Sequence, residues 1–139
     1  MRIMAIDYGD AHTGIAISDP TGFLAGFTTT INAYRPEAVA DQVASLAREH
    51  GVEELVLGHP VNMDGTLGPR SEKAKAMKAL LEEATSLPVV LWDERRTTID
   101  AHNILFNSGK NARPRKKVVD AVAASLILEG YLAYKKRNG

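Results

Sequence analysis

The chain contains no cysteine. That excludes a disulfide framework, a thiolate zinc site and a cysteine nucleophile. Aromatic residues make up only 6% of its 139 residues, too few to suggest a platform on which successive bases stack. No apolar run approaches the roughly 20 residues that a membrane-spanning helix needs. The opening Met-Arg-Ile-Met-Ala-Ile-Asp lacks the long apolar stretch and cleavage site of a signal peptide. A soluble, cytoplasmic protein with no membrane partner is expected. Repeats, low-complexity stretches and linker-like segments are missing too, so residues 1–139 are expected to form a single domain.

Net charge is absent as well, since 17 Lys and Arg balance 17 Asp and Glu. The balance conceals a split. Residues 1–90 carry 7 basic and 12 acidic side chains, whereas residues 91–139 carry 10 and 5. Five of the basic ones, Lys110, Arg113, Arg115, Lys116 and Lys117, fall within one short segment. A local basic patch matters more to a polyanion than the whole-chain total.

What is present is a readable alternation of elements. Residues 2–6 are short, mostly apolar and followed by Asp-Tyr-Gly, as in a buried strand. Residues 13–18 and 23–31 predict two more strands, the last rich in threonine. Tight connections between the three suggest an antiparallel meander. The period then changes. Pro36 suits a first helical position, Val39, Val43, Leu46 and Ala47 share a face, and Gly51 marks a stop. A strand over 53–58, a helix over 70–86 and a strand over 89–92 follow. A short helix is expected from Thr98 to Asn107 and a last one over about 116–135. The order βββαβαβα implies an α/β protein: a mixed five-stranded sheet with helices on both faces.

Two predicted strands end in acid, Ile6 into Asp7 and Trp92 into Asp93-Glu94. A carboxylate at the mouth of a buried strand is costly without a cation or donors to compensate it. A third acid, Asp120, interrupts the apolar last helix. Hard oxygen donors without cysteine, and without ligand spacing among His12, His50, His59 and His102, suit Mg²⁺ or Mn²⁺. Three carboxylates could hold one or two such ions for phosphodiester cleavage. Each acid also has a plain alternative: Asp7 as a turn residue, Asp93 or Glu94 as a partner of Arg95 or Arg96, Asp120 as a first-turn acid offsetting a helix dipole.

Three segments could position phosphates. The loop from Gly58 to Arg70 follows a strand and puts Arg70 at a helix N-terminus. Arg95-Arg96-Thr97-Thr98 offers two cations beside a helix cap. The basic run 110–117 leads into the helix bearing Asp120. Their ordinary readings are a connecting loop, a capping box and a solvated charge run.

These residues resemble a known family. Asp7-Tyr-Gly-x4-Gly14-Ile-Ala, Gly58-x-Pro-x-Asn62-Met-Asp-Gly65-x2-Gly68-Pro-Arg70, Asp93-Glu-Arg-x-Thr-Thr98 and Asp120-Ala-x-Ala-Ala-x-Leu-Ile-Leu128 are similar, in order, to the motifs of the YqgF family. The family is described as pre-16S rRNA nucleases and, earlier, as Holliday junction resolvases. The resemblance implies an RNase H-like fold and a catalytic and metal-holding set of Asp7, Glu94 and Asp120. It also implies a role in maturing the 5′ end of 16S rRNA. Asn62, Arg70, Arg95, Thr97 and the basic residues of 110–117 would contact substrate. Three positions depart from the family's pattern: His12 stands where arginine is usual, His59 where leucine is usual and Arg96 where an apolar residue is usual.

The expected partner is therefore an rRNA precursor, with branched DNA as the alternative and a monomer or weak dimer as the assembly. A non-catalytic RNA-binding module on the same fold is a second class. An actin-like ATPase shares the Asp-x-Gly strand, but it clamps nucleotide between two domains, and 139 residues are too few for that.

Overall fold

The computed structural model describes residues 1–19, 25–59, 68–93 and 116–138; of residues 25, 116–121 and 138 it describes the backbone. The elements are β1 (Arg2–Asp7), β2 (His12–Ser18), β3 (Ala25–Asn32), α1 (Pro36–His50), β4 (Val52–His59), α2 (Pro69–Thr85), β5 (Val89–Asp93) and α3 (Lys116–Asn138). This is the expected βββαβαβα order. The helix expected over Thr98–Asn107 lies outside the described residues.

The five strands form one sheet in the order β3-β2-β1-β4-β5. β1 pairs antiparallel with β2, placing Asp7 opposite Gly14, and β2 pairs antiparallel with β3. β4 lies parallel to β1 and β5 parallel to β4. The antiparallel meander and the parallel crossovers thus meet at β1, in the centre. The carboxyl ends of β1, β4 and β5 share one edge and deliver Asp7, His59 and Asp93 there.

Both faces of the sheet are covered. On one, Met4, Ile6, Ile15, Ile17, Leu55 and Leu57 pack under Val39 and Val43 of α1 and Met77 and Leu81 of α2. On the other, Ile3, Ala5, Ala16, Val56 and Trp92 pack under Ala124, Ile127, Leu128 and Tyr131 of α3. Strand alternation makes this division. Because β1 and β4 are buried on both sides, they read as continuous apolar runs.

The helix ends follow their residues. Pro36 and Pro69 occupy first-turn positions, where a missing N–H costs nothing. Gly51 closes α1 in the left-handed region at φ 67°, its N–H returning to the Ala47 carbonyl. α2 closes the same way on Ser86, at φ 60°. The helix expected over 70–86 therefore ends where predicted, although serine pays a steric penalty in this conformation that glycine does not.

Candidate active site at the carboxyl edge of the sheet

Asp7 is the last residue of β1 and is half-buried. Alternation gives it the parity of Ile3 and Ala5, so it belongs to the face that α3 covers. Its cross-strand neighbour, Gly14, has no side chain, which leaves room beside the carboxylate. The turn that follows is tightly built. A Cβ on Gly9 would sit 2.4 Å from the His12 carbonyl oxygen, so only glycine fits. The Gly9 N–H lies 3.4 Å from the Thr13 hydroxyl oxygen, and Thr13 is fully buried.

α2 closes the other side of this edge. Lys73 reaches Asp10 at 3.1 Å, tying the helix to the β1–β2 turn. His59 Nε2 and the Ser71 hydroxyl share a 2.6 Å hydrogen bond, joining the end of β4 to the first turn of α2. Ser71 is 0% exposed, so its hydroxyl needs that partner. Arg70, Lys73 and Ala74 from α2 line a cavity of about 20 Å³ with Tyr8, Gly9, Asp10 and Gly58. Burial pushes the Tyr8 phenol above its ordinary pKa, Asp10 and Glu37 add to this, and Lys73 opposes it. Arg70 thus does lie at a helix N-terminus against the mouth of the sheet. The Arg70 guanidinium and the Arg70 backbone N–H there can bind an anion, whereas Pro69 has no N–H and the Ser71 N–H already donates to the Gly68 carbonyl at 3.0 Å.

α3 approaches from the opposite face. Its C-terminal half is fixed at the amino end of β4, where Glu54 accepts hydrogen bonds from the Tyr131 hydroxyl at 3.2 Å and from Lys135 at 3.0 Å. Asp120 is the fifth residue of α3, beyond its first turn, so the reading as a first-turn acid does not apply. By helical spacing it stands one turn before buried Ala124.

With this geometry in place, the chain can be set beside known proteins. Residues 1–134 match the family model described as "RuvX: Holliday junction resolvase". The chain belongs to the RuvX (YqgF) family. A relative from Halothermothrix orenii, named "Putative pre-16S rRNA nuclease", is 42% identical over 99% of this chain and 98% of its own. One of the same name from Clostridium botulinum is 44% identical over 95% of this chain and 96% of its own. Among solved structures, Thermus thermophilus RuvC in complex with a Holliday junction superposes with a TM-score of 0.61. It covers 100% of this chain and 96% of that one, at 15% identity. The fold is accordingly the RNase H-like α/β fold that the motifs implied.

Of the residues singled out from sequence in this RuvX-family chain, the structure describes Asp7 and Arg70 fully and the backbone of Asp120, Lys116 and Lys117. Asn62, Glu94, Arg95, Arg96, Thr97, Lys110, Arg113 and Arg115 lie outside the described residues. Among the described residues no three His, Cys, Asp or Glu side chains form a metal-holding group. Asp93 is described, and its parity with Val89 and Leu91 gives it the α1/α2 face, away from Asp7. His12 donates from Nδ1 to the Asn32 side chain at 2.7 Å, across the β2–β3 ladder. The His50 ring lies tilted against Phe27 with centroids 4.7 Å apart, and Trp92 is core.

Sequence reasoning missed two couplings at this edge, His59 with Ser71 and Lys73 with Asp10. His59 could have been flagged as the polar residue closing an apolar strand. Lys73 gave no signal, because its partner is 63 residues away.

Proposed function

We propose that this chain is a metal-dependent phosphodiester hydrolase that processes the 5′ end of the 16S rRNA precursor in the cytoplasm, its whole length acting as one RNase H-like nuclease domain. The observation that carries the reading is the position of Asp7. It is a half-buried carboxylate at the carboxyl end of the central strand, beside a glycine, on the face covered by the helix that bears Asp120. Relatives about as similar as 44% over nearly their full length carry the corresponding nuclease name.

Asp7, Glu94 and Asp120 are the residues that would hold one or two Mg²⁺ or Mn²⁺ ions. The donor set fits, being all carboxylate with no thiolate. When bound, such ions lower the pKa of water and offset charge on the cleaved phosphodiester. The protein's own contribution is to present the carboxylates and to hold the phosphates in place. Arg70 stands ready at the α2 N-terminus. Asn62, Arg95, Thr97 and the basic segment 110–117 complete the substrate contacts in this reading.

The test is cleavage of a 16S precursor in Mg²⁺ by wild type and by Asp7→Asn. The variant should fold normally and lose activity by about 10³-fold or more. Equal activity in the two proteins would remove Asp7 from the site and favour a non-catalytic RNA-binding module.

The family description and the RuvC likeness favour a second reading, resolution of branched DNA. A two-fold junction needs two active sites and hence a dimer. Sizing the protein with and without a junction separates the readings: a persistent monomer argues against resolution. A wild type inert on RNA but cutting junctions cleanly argues for it.

A further inference from the structure

We infer that His59 is a positioning residue for substrate, acting through Ser71 to hold Arg70 against the carboxyl edge of the sheet. The inference deepens the nuclease reading and rests on Arg70 being a phosphate contact.

The first turn of α2 is poorly held by its own residues. Gly68, the N-cap, offers no side-chain oxygen, and Pro69 has no N–H. Arg70 and Glu72 are exposed. The apolar stripe that seats the helix, Ala74, Met77 and Leu81, begins one turn later. One tether to the sheet is Lys73 with Asp10, but their side chains are 58% and 82% exposed, and so hydrated a pair contributes little. Another is Ser71 with His59, at 2.6 Å, and here the serine is fully buried. A buried hydroxyl that loses its partner has no water to turn to. This bond is therefore the firmer of the two.

Arg70 directly precedes Ser71, so what fixes the Ser71 backbone fixes the root of the Arg70 side chain. Neighbouring helical residues point about 100° apart. Ser71 thus turns into the protein while Arg70 stays exposed at the cavity that it lines with Gly58, the neighbour of His59. On the other side of the bond, His59 is the last residue of β4, and β4 is paired with β1, the strand that ends in Asp7. The clip connects the strand that delivers the carboxylate to the turn that delivers the cation. An imidazole keeps it in either protonation state, accepting from the hydroxyl through a bare Nε2 or donating to it through Nε2–H.

The test measures binding of a fluorescein-labelled 16S precursor fragment by anisotropy without divalent metal, then KM and kcat in Mg²⁺. Arg70→Ala should weaken binding about tenfold, as loss of one charge-assisted contact does. His59→Leu keeps bulk but cannot bond Ser71; it should weaken binding about fivefold, with KM raised and kcat near wild type. His59→Gln places an amide near the Nε2 position and should restore most of the affinity. Ser71→Ala removes only the hydroxyl and should match His59→Leu, and it carries the test if His59→Leu does not fold. The deciding variant is His59→Leu/Arg70→Ala. It should bind no more weakly than Arg70→Ala alone, because His59 acts through Arg70. Additive losses in that double variant would overturn the inference, since His59 would then act independently of Arg70. Wild-type binding by His59→Leu and Ser71→Ala, beside a weakened Arg70→Ala, would also overturn it while leaving Arg70 as a substrate contact. Wild-type binding by Arg70→Ala would remove Arg70 from the substrate contacts, and the inference with it.

Discussion

On the α1/α2 side of the sheet the strands present Met4, Ile6, Ile15, Ile17, Leu55 and Leu57; on the α3 side they present Ile3, Ala5, Ala16 and Val56, with Trp92 on the edge strand β5. The first layer is thick and aliphatic, and two helices rest on it. The second is thin over β1 and β2. Ala5 and Ala16 face each other across the β1–β2 ladder, and α3 meets this layer with Ala124. Small residues on both partners allow a helix backbone to approach closely, which leaves little freedom in where it sits. The thick layer therefore carries the larger share of hydrophobic stabilisation, while the thin layer fixes the seat of the helix that bears Asp120. Stability and alignment are assigned to opposite faces of one sheet.

Four substitutions would break or sharpen that contrast. Leu57→Ala removes a fully buried side chain from the thick layer. It should cost about 2–5 kcal/mol in denaturant unfolding, with cleavage per folded molecule unchanged. Ala16→Leu overfills the thin layer at a site with 0% exposure. A cost of about 1–3 kcal/mol is expected, and here cleavage per folded molecule should fall, because α3 must shift. If both variants retain full specific activity, the division of labour is wrong.

The third concerns the anchor of α3. Burial, then the Glu54 carboxylate, pushes the Tyr131 phenol up to about 12, above the ordinary 10.0. The folded state thus holds this proton more tightly than the unfolded chain does. The stabilisation is fully present below pH 10 and is lost as pH rises toward 12. Thermal midpoints should fall more steeply across that window in wild type than in Tyr131→Phe. The smallest effect is expected on the thick side, at the end of α2. Ser86→Gly relieves a left-handed serine and should stabilise by about 0.5–1 kcal/mol. The same change would gain nothing at α1, which already ends in Gly51.

Much of this architecture was legible in the residues. Period-two and period-3.6 patterns placed every described strand and helix to within a few residues. The element order implied the mixed sheet. The strand endings drew attention to Asp7, and the Gly68-Pro69-Arg70 start of α2 put a cation at the same edge. Couplings between distant residues were not legible. Glu54 reads as one polar residue in an exposed-looking Glu53-Glu54 pair, yet it is 9% exposed and bonded to Tyr131, 77 residues on. Nothing periodic links such positions; only the fold brings them together. The end of α2 was legible, but the left-handed conformation of Ser86 that makes it was not, since serine carries no glycine-like signal for it.

The sequence by itself determined that Asp7 closes a buried strand and shares a face with Ile3 and Ala5, because alternation along a strand is fixed by covalent geometry. It also determined that Asp120 stands in a largely apolar helix. It did not determine which face or which direction of that helix lies on the sheet, since a helix apolar over much of its surface can be buried either way. The tertiary structure decided that: the hydrogen bonds of Tyr131 and Lys135 to Glu54 fix the C-terminal half of α3 at the amino end of β4, and the chain leading back to Asp120 runs away from it. A buried carboxylate must find its donors, and that requirement, not helix propensity, gives α3 its direction.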